Sequence, residues 1–195
     1  KLHSIPSGTQ VFDWKVPNEW SIRDAYIADQ SGNKIVDFQE NNLHVVGYST
    51  PIDEIMSLSK LDSHLYSIAE QPTAIPYITS YYSPEWGFCL THWQRQNLQE
   101  GDYHVVIDSD IKPGVLDYGE LIIHGDSEEE ILLSTYICHP SMANNELSGP
   151  IVSMSLINYF KKIKNLSKTI RFIFIPETIG SITYISKNLY DLKSN

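Results

Sequence analysis

Apolar residues change their spacing near residue 125, and the two parts of the chain predict different architectures. Up to about residue 127 they fall in short runs bounded by Gly, Pro, Asn and Asp, the pattern of half-buried strands. Thr9–Trp14 is one such run, closed by Pro17. Ala25–Asp29 and Lys34–Phe38 flank Gln30-Ser-Gly-Asn33, a turn sequence that predicts a hairpin. Leu43–Ser49, Ile75–Tyr82, Trp86–His92, Tyr103–Asp108 and Leu116–His124 add further strands. Ile55, Leu58, Leu61, Leu65 and Ile68 recur at helical spacing and predict one helix across residues 53–68.

Past Gly125–Glu130 the apolar runs lengthen. Ile131–His139 is nearly continuous, which reads as a strand buried on both faces. Pro140–Leu147 reads as a polar loop. Ser148, Gly149 and Pro150 read as a helix start, because Pro suits a first turn where its missing N–H is not needed. Ile151, Val152, Leu156, Tyr159, Phe160 and Ile163 give that helix its apolar face. Thr169–Ile175 is a second buried strand ended by Pro176, and a last helix starts near Ser181. Strand–helix–strand–helix order predicts a parallel sheet with a right-handed crossover. The expected fold class is α/β: part of a parallel-sheet domain over residues 128–195, preceded by a β-rich α+β module over residues 1–127.

Charge and composition narrow the function. The formal net charge is −10, and the 14 Lys and Arg residues form no dense cluster, so neither nucleic acid nor an anionic membrane is an expected partner. No apolar run approaches the ~20 residues of a membrane span, and the expected location is cytoplasmic. The chain opens on Lys1 in what reads as folded sequence, and we expect it to be a piece of a longer protein. Cys89 and Cys138 read as buried thiols. Trp14, Trp20, Trp86 and Trp93 read as fillers of a β core before they read as the lining of a groove.

Parallel sheets gather ligands beyond the carboxyl ends of their strands. The first strand here ends in Cys138-His139 and the second in Pro176-Glu177, while the intervening loop supplies Asn144, Asn145 and Glu146. One imidazole and two carboxylates at one sheet edge are the donors zinc takes, and a carboxylate left off the metal can serve as a general base. Taken singly, each has an ordinary role. His139 is a strand-end residue, and Glu146 and Glu177 are helix N-terminal carboxylates worth roughly 0.3–1 kcal/mol. Their shared location is what favours a site. Cys138 and His139, as neighbours in a strand, would face opposite ways and form no dyad. Ser148 lacks the strand–nucleophile–helix elbow and reads as a helix cap. His3, His44, His64, His92, His104 and His124 show no ligand spacing.

The segments STYICHPSMANNELSGPIV and RFIFIPETIGSITYIS resemble the aminopeptidase-like family of co-catalytic zinc peptidases. PSGTQVFDWKVPNEW, QPTAIPYITSYYSPEWGFC and GVLDYGELIIHG resemble the inserted β-rich module of a bacterial branch often found near polysaccharide-biosynthesis genes. The resemblance spans nearly the whole chain. It implies His139 as a metal ligand and Glu177 as the catalytic base; our reading adds Glu146 as a second ligand, with Asn144, Asn145 and Thr178 close to the metal or substrate.

The chain also departs from the family pattern. Asn145 stands where a bridging Asp is usual, Thr178 where a second Glu is, and Ser141 where an Asp orients the His. A neutral amide bridges two cations poorly. Three arrangements follow: one zinc on His139, Glu146 and a residue further on; a site rearranged around Glu177; or no metal. The family's remaining ligands, an Asp and a His, fall later in such chains. The expected function is a zinc-dependent hydrolase cleaving an amide or peptide bond in a small peptide or acyl-amide. The alternative is a catalytically inactive protein that binds a ligand or partner. In a third reading the β-rich module is a lid or interaction surface. An exposed sheet face would favour a homo-oligomer. The 195-residue chain is expected to bind zinc weakly or not at all; a tight stoichiometric zinc signal by metal analysis would overturn that expectation.

Overall fold

The strictest alternation of inward and outward side chains, in residues 19–28 and 102–112, builds the first of two compact units. The computed structural model describes residues 1–194. Its strands are β1 (Leu2–Pro6), β2 (Gln10–Val11), β3 (Trp14–Lys15), β4 (Glu19–Ala28), β5 (Lys34–Asp37), β6 (Ile52–Ser57), β7 (Leu65–Tyr66), β8 (Phe88–Cys89), β9 (Asp102–Lys112), β10 (Val115–Ile123), β11 (Ser127–Tyr136) and β12 (Lys168–Ile175). Its helices are α1 (Leu58–Leu61), α2 (His92–Gln96), α3 (Ala143–Phe160) and α4 (Ile179–Ser194). One unit is Glu19–Lys112; the other joins residues 1–18 to residue 113 onward. Residues 1–18 and 113–127, expected in the β-rich module, therefore lie in the α/β unit.

In the Glu19–Lys112 unit an antiparallel sheet has the order β5-β4-β9-β6. Ala25, Ile27, Val105 and Ile107 point to one side of it and are fully buried with Leu61, Leu65 and Phe88. The β4–β5 hairpin forms as its turn sequence predicts. The Asp29 carboxylate accepts the N–H groups of Ser31 and Asn33, and Gly32 takes the left-handed backbone such a turn requires. Trp20 and Trp86 pack against this core, Trp14 packs in the other unit, and Trp93 is exposed.

Several expected elements of this unit are corrected. The helix over 53–68 is instead β6, a single turn α1 and a 3-10 turn at Asp62–His64. Residues 52–57 pair along β9, and that ladder overrides the helical spacing. Leu43–Ser49 is no strand; it holds a 3-10 turn and isolated bridges from Val45 to Phe88 and from Gly47 to Thr79. Ile75–Tyr82 contributes only the second bridge, and Trp86–His92 contracts to β8 before Thr91 caps α2. Pro72, Pro76 and Pro84 remove ladder donors through this stretch.

The other unit carries a sheet of order β1-β10-β12-β11, in which β11 and β12 are parallel and the other pairs antiparallel. Thr9–Trp14, expected as one strand, folds back as the β2–β3 hairpin, with Phe12 left-handed at its turn. Along β12 the side chains alternate. Ile170, Phe172 and Phe174 meet Leu156, Ile157 and Phe160 of α3, while Ile173 and Ile175 meet Ile179, Tyr184 and Leu192 of α4. The sheet is thus sandwiched between the two helices.

Two expectations fail here. Among the described residues β11 lies at the edge of its sheet, and Ile131 and Leu132 are 47% and 41% exposed rather than buried on both faces. An apolar run reports composition, while burial depends on how many neighbours the strand acquires. Helix α3 begins at Ala143, so Glu146 and both Asn residues lie in its first turn, and Pro150 lies inside it. Ser148 is not the cap; its hydroxyl donates back to the Asn144 carbonyl.

A row of ionic contacts crosses all four strands in order. His3 of β1 meets Glu120 of β10 at 3.0 Å; Glu120 meets Arg171 of β12; Arg171 binds Glu130 of β11 through two 2.7 Å contacts. These carboxylates and the guanidinium are less than a quarter exposed. Burial alone would raise the pKa of Glu120, but the hydrogen bonds from Arg171 and His3 outweigh it and the net direction is down. Its stabilising contribution is therefore present above the ordinary glutamate range and lost as pH falls through the lowered value. Arg171→Met is expected to destabilise the unit by roughly 2–4 kcal/mol at neutral pH, since breaking a buried pair strands the partner charge. Urea denaturation as a function of pH checks this: the gap between wild type and variant should shrink in acid.

Candidate metal centre

Strands β11 and β12 end level with each other. Tyr136 pairs with Ile175, and one further rung joins the Ile137 N–H to the Ile175 carbonyl at 3.1 Å. Both chains then turn. Ser141 and Thr178 adopt left-handed backbones, at φ 62° and 52°, unusual for residues other than glycine and more so for a β-branched one. Such outliers cluster at functional sites. Beyond Thr178 the chain enters α4, whose Ile182 N–H donates to the Thr178 carbonyl.

This geometry places His139 Nε2 2.8 Å from Glu177 Oε2. Glu146 reaches back from the first turn of α3, and its Oε2 accepts the Cys138 N–H at 2.7 Å. Cys138 Sγ accepts the Glu177 N–H at 3.3 Å and lies 3.9 Å from Glu146 Oε1. One ring nitrogen of His139, Cys138 Sγ and a Glu146 carboxylate oxygen all lie within 4.8 Å of one another. Donors around a tetrahedral zinc are about 3.3–3.8 Å apart, as bond lengths near 2.0–2.3 Å require. Closing the cluster onto a cation takes about 1 Å of side-chain movement, and a sulfur, a nitrogen and an oxygen suit zinc chemically. The donor set fits.

The remaining candidates stand outside this cluster. Asn145 donates from Nδ2 to the Tyr136 hydroxyl at 3.0 Å. Asn144 is exposed, and its backbone carbonyl accepts from Ser148. Thr178 shapes the turn that carries Glu177. Cys138, expected as a buried thiol facing away from His139, is instead exposed and part of the cluster. Strand alternation no longer applies to it, because β11 ends at Tyr136. Pro140 directly after His139 was the signal in the sequence, since a proline so close disfavours continued strand pairing.

Partial burial, with the carboxylates of Glu146 and Glu177 acting in the same direction, pushes the Cys138 thiol up to about 11. Burial pushes that of Cys89 up to about 12. Among the described residues no helix is long and apolar enough to cross a membrane.

Comparison with known proteins agrees with the motifs. Over its whole length the chain is 50% identical to the "Putative polysaccharide biosynthesis protein with aminopeptidase-like domain" of Clostridium acetobutylicum. Residues 19–110 match the family described as Domain of unknown function (DUF2172), which coincides with the β-rich unit. A crystal structure described as a "putative peptidase" from the same organism superposes with a TM-score of 0.94 at 49% identity over 99% of the chain. The chain spans 44% and 46% of the lengths of these two proteins.

In the native protein a thiol reagent is expected to modify Cys138 and spare Cys89, with the rate of Cys138 rising through the alkaline range as its thiolate forms. Mass spectrometry of alkylated peptides checks this, and equal labelling of both cysteines would contradict the placement of Cys138.

Proposed function

We propose that the chain forms part of a metal-dependent hydrolase that cleaves an amide or peptide bond, with zinc as its cation. The observation behind this reading is the 2.8 Å contact of His139 with Glu177 where two parallel strands end, beside the carboxylate of Glu146. His139 and Glu146 would hold the cation, which when bound supplies Lewis-acid polarisation of the scissile carbonyl. Glu177 takes a proton from the attacking water and returns it to the departing amine. Its contact with His139 fixes the carboxylate, and the strained Thr178 turn fixes the backbone beneath it. Asn145, tied to Tyr136, lines the approach of a small peptide or acyl-amide substrate. The name of the Clostridium relative supports a role in polysaccharide biosynthesis, and N-acyl amides therefore belong among the substrates to be tried.

A second reading, a catalytically inactive ligand-binding protein, draws on Asn145. A neutral amide occupies the position at which the family places a bridging carboxylate, and here it is spent on a tyrosine hydroxyl. Calorimetry with zinc separates the two readings, because a protein that takes no metal cannot run this chemistry. In the hydrolase reading, Glu177→Gln in the full-length protein lowers kcat on a responsive aminoacyl or N-acyl amide by about 10²–10⁴-fold with zinc content unchanged. Unaltered turnover would remove Glu177 from the role of base.

A further inference from the structure

We propose that Cys138 is itself a metal-ligating residue, so that the cation is held by a sulfur, nitrogen and oxygen set from Cys138, His139 and Glu146. The location rests on the hydrolase reading, but the donor set does not follow from it. The motif resemblance supplies imidazole and carboxylates alone.

Three observations carry the thiol into the site. First, Sγ shares a 4.8 Å neighbourhood with the His139 and Glu146 donors, and its separation from Glu146 Oε1 is already 3.9 Å. Second, the Glu177 N–H points at Sγ from 3.3 Å and holds the sulfur at the strand end beside the other two donors. The Cys138 N–H at the same time anchors Glu146, so one residue positions two donors. Third, the charges balance. With asparagine at position 145, the hydrolase reading leaves Glu146 as the lone anionic ligand to a divalent ion. A thiolate from Cys138 brings the set to two negative charges and neutralises it. Soft thiolate ligands select zinc over magnesium or calcium, so this set also names the class of cation.

On binding, a sulfur–metal bond replaces one water on the hydrated ion and the thiol proton leaves to solvent; no electrons are transferred. Three protein donors would leave one position for solvent or substrate, which is what separates a catalytic zinc from a structural one.

Cobalt(II) titrated into the full-length protein provides the test. A sulfur-to-cobalt charge-transfer band in the near ultraviolet is expected, together with visible bands of tetrahedral strength. Cys138→Ser should lose the ultraviolet band and weaken cobalt binding by at least about tenfold, because even changes beyond the ligands themselves weaken metal sites by 10–100-fold. A second measurement needs no variant: zinc should protect Cys138 of the wild-type protein from alkylation. Cobalt bound without the ultraviolet band, an alkylation rate that zinc leaves unchanged, or no cobalt binding at all would each overturn the proposal. The two readings part cleanly. Turnover without the band removes the thiolate ligand and leaves the hydrolase; the band without turnover of any amide does the reverse.

Discussion

The parallel pairing of β11 with β12 is the contact on which the candidate site depends. Its register, Thr135 with Phe174 and Tyr136 with Ile175, makes both strands end on the same line. A slip of one residue would turn every side chain of β11 to the opposite face and carry Cys138 and His139 away from Glu177. That register is held from both sides of the sheet. Phe172 and Ile170 lock one face under α3, and Ile173 and Ile175 lock the other under α4. Electrostatics reinforces it. Arg171 reaches Glu120 on one neighbouring strand and Glu130 on the other, and charges so nearly buried tolerate little misalignment.

Packing and strain act together at the strand ends. The sheet supplies rigidity up to Tyr136 and Ile175. Beyond them the backbone twists into left-handed conformations at Ser141 and Thr178, both positions at which the zinc-peptidase pattern would place an acid. A shared fold therefore constrains where the chemistry occurs more tightly than which atoms perform it.

Much of this was legible in the sequence, for reasons that differ by element. The Gln30–Asn33 hairpin was visible because its turn chemistry is local. β12 was visible because a central strand buries both faces and so shows a continuous apolar run that ends at a proline. The meeting of His139 and Glu177 followed from two strand ends and one topological rule. β11 carries the same apolar signature as β12 yet lies at an edge among the described residues, since no residue in it records how many neighbours the sheet will provide. The helical spacing of residues 53–68 lost to pairing with β9, a strand more than thirty residues away. The start of α3 was displaced because Pro150, a helix-start signal when read alone, sits inside the helix instead. Cys138 was missed because side-chain direction was argued from strand geometry two residues past the point where the strand ends.

Helix α3 packs closely on the sheet at Gly149, where any Cβ would collide with the Thr135 hydroxyl. Only glycine fits there, and the point would serve as a fulcrum for the helix. Glu146 lies three residues from it along the axis and Phe160 eleven, about 4.5 and 16 Å at helical rise. A rocking of ten degrees about the fulcrum thus displaces the far end of the helix by about 3 Å but the backbone of Glu146 by less than about 1 Å. Any such rocking would therefore move the far end of the helix several times farther than the carboxylate.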